Sequence, residues 1–238
     1  MNCYDFHVRS DFSEGESSIE DFANRAKLLG YKGICVTEYF QNKDHMEELK
    51  KKCEKISKEV GIEIFVGFQI RDTKELSKLV SLRREYDVLL VKGGDIELNR
   101  KAVETPEVDI LLHPEFERRD SGFNQTMAKL AKENNVAVEV NFREILLSSK
   151  NTRSHIIHNI SENVKLCKKN HVPIVICSGA VSHLQMKDPK VLISMGTLFE
   201  LNLKEAKKCV SEIPESIIQM IRERQNNNWI GPGVKVIE

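Results

Sequence analysis

The sequence predicts an α/β fold, a single irregular barrel of the TIM type in which about seven parallel strands are ringed by helices. Two features predict it. Short apolar runs alternate with helical patterns, and no Gly- or Pro-rich linker divides the 238 residues. A doubly wound open sheet is the alternative. That fold usually carries a Gly-rich phosphate loop after its first strand, whereas residues 8–15 read VRSDFSEG.

Seven apolar runs are the candidate strands, and each is 5 to 8 residues long, which favours strands over helices. They cover residues 4–8, 33–37, 63–70, 87–91, 109–113, 136–142 and 173–178. The gaps between them are long enough for a helix each. Repeated βα units imply a parallel sheet, and seven of them fit one closed barrel better than two open sheets.

Helical periodicity fills the gaps. Apolar residues at 46, 49, 53, 56 and 60 have the spacing of an amphipathic helix, and Gly61 follows as a stop signal. Ser18 and Asp21 predict a capping box for an earlier helix, which Gly30 ends. Further helical patterns occupy 156–167, 190–199, 204–211 and 215–224. We therefore expect a barrel domain over residues 1–225 and a C-terminal tail over 226–238.

The composition excludes several classes of protein. Hydrophobic residues make up 40% and charged residues 30%, as in globular rather than disordered chains. Lys plus Arg and Asp plus Glu are 36 each, so the zero net charge argues against non-specific nucleic-acid binding but not against a local basic patch. No apolar run reaches the roughly 18 residues of a membrane span. The charged N-terminus and six cysteines without CxxC spacing predict a cytoplasmic protein with reduced thiols.

Polar side chains collect at the carboxyl ends of the predicted strands, where barrels of this type have their sites. Strand alternation predicts that Asp5, His7 and Arg9 share one face of the first strand, and that Glu139 and Asn141 point into the barrel. Histidines and carboxylates there could hold divalent metals for phosphoester hydrolysis. Basic groups could instead bind a phosphate backbone. A lone histidine is more often structural than a ligand, and Asp95 could simply cap the next helix.

One resemblance concerns the metal site. Residues 5–10 (DFHVRS), followed by 13–15 (SEG), resemble the opening motif of the polymerase-and-histidinol-phosphatase (PHP) barrels, and His113-Pro114 keeps a later one. Other ligand positions of that family are replaced here, by Arg9, Tyr39, Gln69, Gly179 and Val181. The resemblance therefore implies a PHP-type barrel in which His7 and His113 are vestigial metal-site positions, with no metal bound and no catalytic residue.

A more specific resemblance covers nearly the whole chain. Residues 93–104 (GGDIELNRKAVE) and 108–114 (VDILLHP) resemble the RNase P protein component 3 family, which is related to the eukaryotic thirty-kilodalton subunit. Shorter matches follow in the family's order at 120–122, 131–139, 141–143, 178–180, 188–189, 205–208 and 214–215.

That resemblance implies a subunit of RNase P, the ribonucleoprotein that removes the 5′ leader of precursor tRNA. The RNA subunit would perform the chemistry and would require magnesium, while this chain would bind no cofactor. The chain would bind and stabilise the catalytic domain of the RNA together with protein component 2 and other RNase P proteins. It would meet precursor tRNA only through the holoenzyme, and no membrane.

The candidate RNA-binding residues lie near strand ends or in the basic segment 148–169, whose local charge is +4. They are Arg9, Arg71, Lys92, Arg100, Arg143 and Arg153. Two alternatives remain open. A metal-dependent phosphoesterase would use a reduced site of His7, Glu38, His113 and Glu139, and bound zinc or manganese would favour it. A purely architectural subunit would keep its RNA association in Arg143→Glu or Lys92→Glu.

Overall fold

The central sheet consists of seven parallel strands in the order of the sequence, β1 to β7. They are β1 (Tyr4–Val8), β2 (Gly33–Glu38), β3 (Glu63–Ile70), β4 (Val88–Lys92), β5 (Ile110–Leu112), β6 (Ala137–Asn141) and β7 (Ile174–Cys177). A parallel bridge between Val8 and Ala180 joins the first strand to the segment after the last, and Arg9 N–H donates to Ala180 O at 2.8 Å. The sheet therefore nearly closes on itself, and the predicted barrel is confirmed.

The computed structural model of the chain describes residues 1–226, 229–231 and 234–235. Its helices are α1 (Ile19–Leu28), α2 (Lys43–Val60), α3 (Thr73–Ser81), α4 (Ile96–Glu104), α5 (Gln125–Glu133), α6 (Phe142–Leu147), α7 (Lys150–Asn170), α8 (Pro189–Thr197), α9 (Leu203–Val210) and α10 (Glu212–Gln225). A short 3-10 helix spans His183–Gln185. The predicted tail over 226–238 lies partly outside the described residues, and its described part contains the antiparallel strands Trp229–Gly231 and Val234–Lys235.

The local signals read from the sequence start and stop the helices as expected. Ser18 and Asp21 form a reciprocal capping box on α1. Gly61 ends α2 with φ of 76°, a left-handed conformation that glycine adopts at little cost. Asp95 caps α4, since Leu98 N–H donates to its Oδ1 at 2.8 Å.

Two apolar clusters form the core. An inner cluster fills the barrel with strand side chains, including Phe6, Leu90 and Cys177, and α10 adds isoleucines to it. A larger outer cluster lies between the sheet and the surrounding helices. Because one end of the inner cluster is covered by α10, the side chains at the carboxyl ends of the strands form the accessible end of the barrel.

The first strand departs from the predicted alternation. Its pairing with β2 shifts register between Asp5 and Val8, which is a bulge-like irregularity. Strict alternation would place Tyr4, Phe6 and Val8 together on the other face. Tyr4 and Phe6 pack in the inner cluster whereas Val8 packs in the outer one, so the predicted alternation is wrong at this strand. The change in direction lets His7, as well as the aromatic residues before it, face the inside of the barrel.

None of the helices in the described part of the chain combines the length and the apolar character needed to cross a lipid bilayer. All six cysteines are free and buried.

Candidate nucleic-acid interface

A polar cavity of about 160 Å³ opens at the carboxyl ends of the strands, and we call it the mouth cavity. It is lined by His7, Arg9, Gln69, Lys92, His113, Phe116, Asn141, Arg143, Glu144, Gly179 and Val181. Most of these residues come from the ends of strands or from the loops directly after them. The barrel thus brings together residues that are far apart in sequence, as the strand pattern predicts.

His7 is held by a buried carboxylate beneath the cavity. Its Nδ1 lies 2.7 Å from Glu139 Oε1, and Asn141 Nδ2 donates to the same oxygen at 3.2 Å. Burial alone would raise the pKa of Glu139, but the charge and hydrogen bond of His7, with smaller effects from His113 and Asn141, lower it. The inward direction predicted for Glu139 and Asn141 is confirmed, and the Glu139 carboxylate serves as a partner for His7.

Two of the positions that differ from the PHP ligand pattern, Tyr39 and Gln69, both contact a third, Arg9. Arg9 Nη2 donates to Gln69 Oε1 at 2.7 Å, and its guanidinium lies 5.0 Å from the centre of the Tyr39 ring. Arg9 Nη1 also pairs with Glu14 Oε2 at 2.9 Å. A fixed positive charge therefore stands where the PHP pattern places a histidine ligand, and an amide stands in place of a carboxylate.

Glu38 occupies the carboxylate position of the second strand, yet it fastens the loop after β1. Its Oε1 accepts hydrogen bonds from Ser10 N–H at 3.1 Å and Ser10 Oγ at 2.6 Å, and its Oε2 accepts one from Ser13 Oγ. Burial raises the pKa of Glu38, although these hydrogen bonds oppose the shift. Both carboxylate oxygens of Glu38 therefore hold the loop after β1 in place.

Gly179 and Val181, which stand at the last ligand positions of the PHP pattern, also do not suit a metal ion. Gly179 has φ of 63°, and a Cβ there would lie 2.5 Å from Asn141 Oδ1, so an aspartate at this position would displace Asn141. Within the described residues, no group of three or more His, Cys, Asp or Glu side chains is arranged to hold a metal ion. The donor set of the mouth cavity, with Arg9 inside it, does not fit a divalent metal.

His113 is the most unusual residue of the cavity. Its φ of 26° is rare for a residue other than glycine, its side chain is buried, and neither ring nitrogen has a hydrogen-bond partner among the described residues. Burial lowers the pKa of His113 to about 4, with Glu139 opposing the shift and His7 adding to it. The imidazole is consequently neutral at physiological pH.

Four of the six candidate RNA-binding residues lie at or beside the cavity. Arg9, Lys92 and Arg143 line it, and Lys92 Nζ lies 4.5 Å from the centre of the Phe116 ring. Arg71 lies alongside, with its guanidinium 4.2 Å from the centre of the Tyr39 ring. These positions concentrate positive charge where the sequence analysis places it.

The other two candidates lie elsewhere. Arg100 is on the outer side of α4 and pairs with Glu104 at 2.8 Å. Arg153 donates to the carbonyl oxygens of Ile145, Leu146 and Ser148, so its guanidinium fastens the end of α6. The basic segment is also partly neutralised by ion pairs of Lys165 with Glu162 and Glu200, and of Lys168 with Glu205.

The loop after β5, of which the sequence analysis singled out only His113-Pro114 and residues 120–122, forms one wall of the site. Residues 113–122, the clamped loop, are held by Asn99, whose Nδ2 donates to Pro114 O at 3.0 Å and to Gly122 O at 2.8 Å. Asn163 on α7 donates to Ser121 O at 2.9 Å. A Cβ on Gly93 would collide with the backbone around His113. The sequence signal for this loop was the family-like string of residues 93–104. The contacts of Gly93 and Asn99 explain why a glycine and an asparagine stand in that string.

The fold and the mouth cavity together define a TIM-type barrel with a cavity of basic and amide side chains at the carboxyl ends of its strands. An amidohydrolase shares only the fold, at 9% identity and a TM-score of 0.58 over 93% of this chain and 75% of its own. Two matches are more specific. Ribonuclease P protein component 3 of Methanosarcina mazei is 32% identical, covering 99% of this chain and 95% of that protein. A chain of the cryo-EM structure of archaeal ribonuclease P with mature tRNA has a TM-score of 0.81 and 28% identity, with 98% of both chains covered.

The model of the family "RNase P subunit p30" matches residues 2–226. This chain belongs to that family, and it is a protein subunit of the endoribonuclease RNase P.

Proposed function

We propose that this chain binds the catalytic domain of the RNase P RNA with the accessible end of its barrel, and that the RNA performs the removal of the 5′ leader from precursor tRNA. The observation that carries the proposal is the placement of Arg9, Lys92 and Arg143 around one cavity whose metal-ligand positions are replaced. Phosphate backbones are bound by such clusters of basic side chains. A protein of zero net charge can bind RNA through one basic surface of this kind.

The same proposal includes partners and conditions. Protein component 2 would bind the RNA together with this chain, other RNase P proteins would complete the particle, and precursor tRNA would be met through the holoenzyme. Magnesium would be required by the RNA, while this chain would bind no cofactor of its own. Six buried free thiols support a reducing compartment, and we place the protein in the cytoplasm.

A tagged chain purified from its own cells tests the proposal. The eluate should cleave the 5′ leader of precursor tRNA, and treatment with micrococcal nuclease should abolish that activity because the catalyst is RNA. Leader cleavage that survives nuclease, or an eluate without it, would contradict the proposal. Phosphatase activity with stoichiometric metal in the lone protein would instead revive the phosphoesterase alternative.

Charge reversal locates the RNA-binding surface. Arg143→Glu and Lys92→Glu should each reduce the RNase P RNA recovered with the chain, because they place a negative charge in the cavity. Lys129→Glu on the exposed side of α5 is the matched control, since it makes the same charge change away from the cavity. Equal RNA recovery in all three variants would favour a subunit that contacts only protein.

A further inference from the structure

Several buried polar atoms of the mouth cavity have no hydrogen-bond partner among the described residues. They are both ring nitrogens of His113, Nε2 of Gln69 and Nε of Arg143. Buried polar groups in folded proteins are nearly always hydrogen-bonded, so a group of unpaired atoms around one cavity calls for a specific explanation. Because these atoms come from three different strand ends and meet at one cavity, a bound ligand is the simplest explanation for them.

The unpaired atoms have the chemistry of hydrogen-bond donors. Gln69 Nε2 and Arg143 Nε carry only N–H groups, and the neutral imidazole of His113 offers one N–H. Arg9 and Lys92 add positive charge at the same cavity. Two carboxylates lie nearby: Glu144 lines the cavity with its Oε1 3.9 Å from His113 Nδ1, and Glu139 lies beneath the cavity. Oε1 of Glu139 is bound by His7, whereas its Oε2 has no hydrogen-bond partner among the described residues. An acceptor-only group with negative charge complements this lining.

The size of the cavity limits what such a group can be. At about 160 Å³, it is smaller than the roughly 300–1,000 Å³ of pockets that hold drug-sized ligands. That space suits one tetrahedral oxyanion rather than a length of RNA. The absence of a side chain on Gly179 keeps this wall open, since even a Cβ there would collide with Asn141.

We propose that the mouth cavity binds a single phosphate group, through hydrogen bonds from Gln69, His113 and Arg143 and the positive charge of Arg9 and Lys92. The phosphate is either free inorganic phosphate or one phosphate of the RNA backbone. Only the second source rests on the proposed function. In that case one nucleotide of the RNA is anchored in the barrel, and the rest of the contact is made on the surface around it.

Inorganic phosphate tests the site in the full-length chain. The ring resonances of His7 and His113 should shift saturably on addition of phosphate, but not of chloride at equal ionic strength. Arg143→Gln and Gln69→Leu should each weaken this binding about tenfold, since each removes a donor to a charged group. Lys129→Gln should leave it unchanged.

The RNA source needs a second experiment, with reconstituted chain and RNase P RNA. Phosphorothioate substitution at one RNA position should interfere with binding of the native chain, and Arg143→Gln and Gln69→Leu should both remove that interference. A phosphate shift without such interference identifies a site for free phosphate only. If neither is seen while the chain still binds RNA, the phosphate site is overturned and the proposed function stands. If phosphate binds but RNA does not, the proposed function fails alone.

Discussion

Glu115 is a carboxyl group that the folded chain holds almost free of water. It lies in the clamped loop, and its Oε2 accepts a hydrogen bond from Asn163 Nδ2 at 3.1 Å, while Oε1 has no partner among the described residues. Burial raises the pKa of Glu115 to about 8, and the hydrogen bond from Asn163 only partly opposes this. The side chain is therefore protonated in the folded protein at neutral pH but ionised in the unfolded chain.

Glu115→Gln should make the protein more stable at alkaline pH. Since the folded pKa is above the unfolded one, the folded state holds an extra proton between about pH 4.5 and 8, and stability falls as pH rises through that window. Glutamine keeps the acceptor for Asn163 and cannot ionise. We expect the free energy of unfolding at pH 8 to increase by at least about 1 kcal/mol, with little change at pH 4.5. Urea denaturation at the two pH values measures this.

Glu117→Gln supplies the comparison. Glu117 is in the same loop but exposed, so its substitution should leave the pH dependence as it is. Equal pH profiles for native protein and Glu115→Gln would show that Glu115 ionises normally in the folded state.

At single positions, the sequence predicted the chemical character of a side chain better than it predicted which groups that side chain contacts. The replaced ligands at Arg9, Tyr39 and Gln69 were identified from their motif positions, and they meet in the structure. Arg153 was chosen because it lies in a basic segment, yet its guanidinium binds carbonyl oxygens of the preceding turn. Charge can be read from a sequence, whereas the partner that a long side chain reaches depends on the fold.

Helix α10 forms the closed end of the barrel. Ile217, Ile218 and Ile221 are buried in the inner cluster. Arg224 on the same helix pairs with the buried Asp109 at 3.1 Å, and Asp109 also pairs with Arg83. The helix therefore contributes both apolar burial and an ionic contact to the barrel, far from the mouth cavity.

Ile221→Ala should destabilise the whole barrel. Removal of a buried isoleucine side chain leaves a cavity and costs about 2–5 kcal/mol. Urea denaturation followed by far-UV circular dichroism measures the change. Gln219→Ala, on the exposed side of the same helix, is the control and should change stability by less than about 0.5 kcal/mol. Similar stabilities for both variants would mean that α10 is not packed against the barrel.

The clamped loop owes its conformation to Asn99. Asn99→Ala removes the donors to Pro114 O and Gly122 O, and leaving buried carbonyls unpaired costs about 1–3 kcal/mol. We expect the loop to open more often, so that limited trypsin digestion cleaves after Arg118 or Arg119 earlier than in the native protein.

Lys101→Ala on the exposed side of α4 should leave these cleavage rates unchanged. If Asn99→Ala is cleaved at the native rate, the loop does not depend on these two hydrogen bonds.

Secondary-structure elements with a clear hydrophobic periodicity could be predicted from the sequence. Element boundaries and side-chain directions that depend on tertiary contacts could not. The run 136–142 was predicted as one strand, but Asn141 accepts a hydrogen bond from Glu144 N–H and starts α6 at Phe142. The direction of Phe6 and His7 depends on the irregular register of β1, which a strict two-residue alternation cannot describe.

Across the whole molecule, positive and negative charges are equal in number but unequally placed. Lys92 and Arg143 lie at the mouth cavity, while Lys43, Lys50 and Lys165, which are on outer helices, are ion-paired with glutamates. RNA binding should therefore depend on few phosphate contacts and have a shallow salt dependence. Each contact that is lost should reduce the slope of log K against log salt by about one.

Lys92→Gln and Arg143→Gln should each weaken RNA binding and also flatten this slope, because each releases one fewer counterion on binding. Affinities of the reconstituted chain for RNase P RNA at four or more salt concentrations measure both quantities. Lys129→Gln should change neither. A variant that weakens binding without flattening the slope would indicate a disturbed fold rather than a lost phosphate contact, and an unchanged affinity in both cavity variants would place the RNA on another surface. The slope thus separates a direct contact from an indirect one.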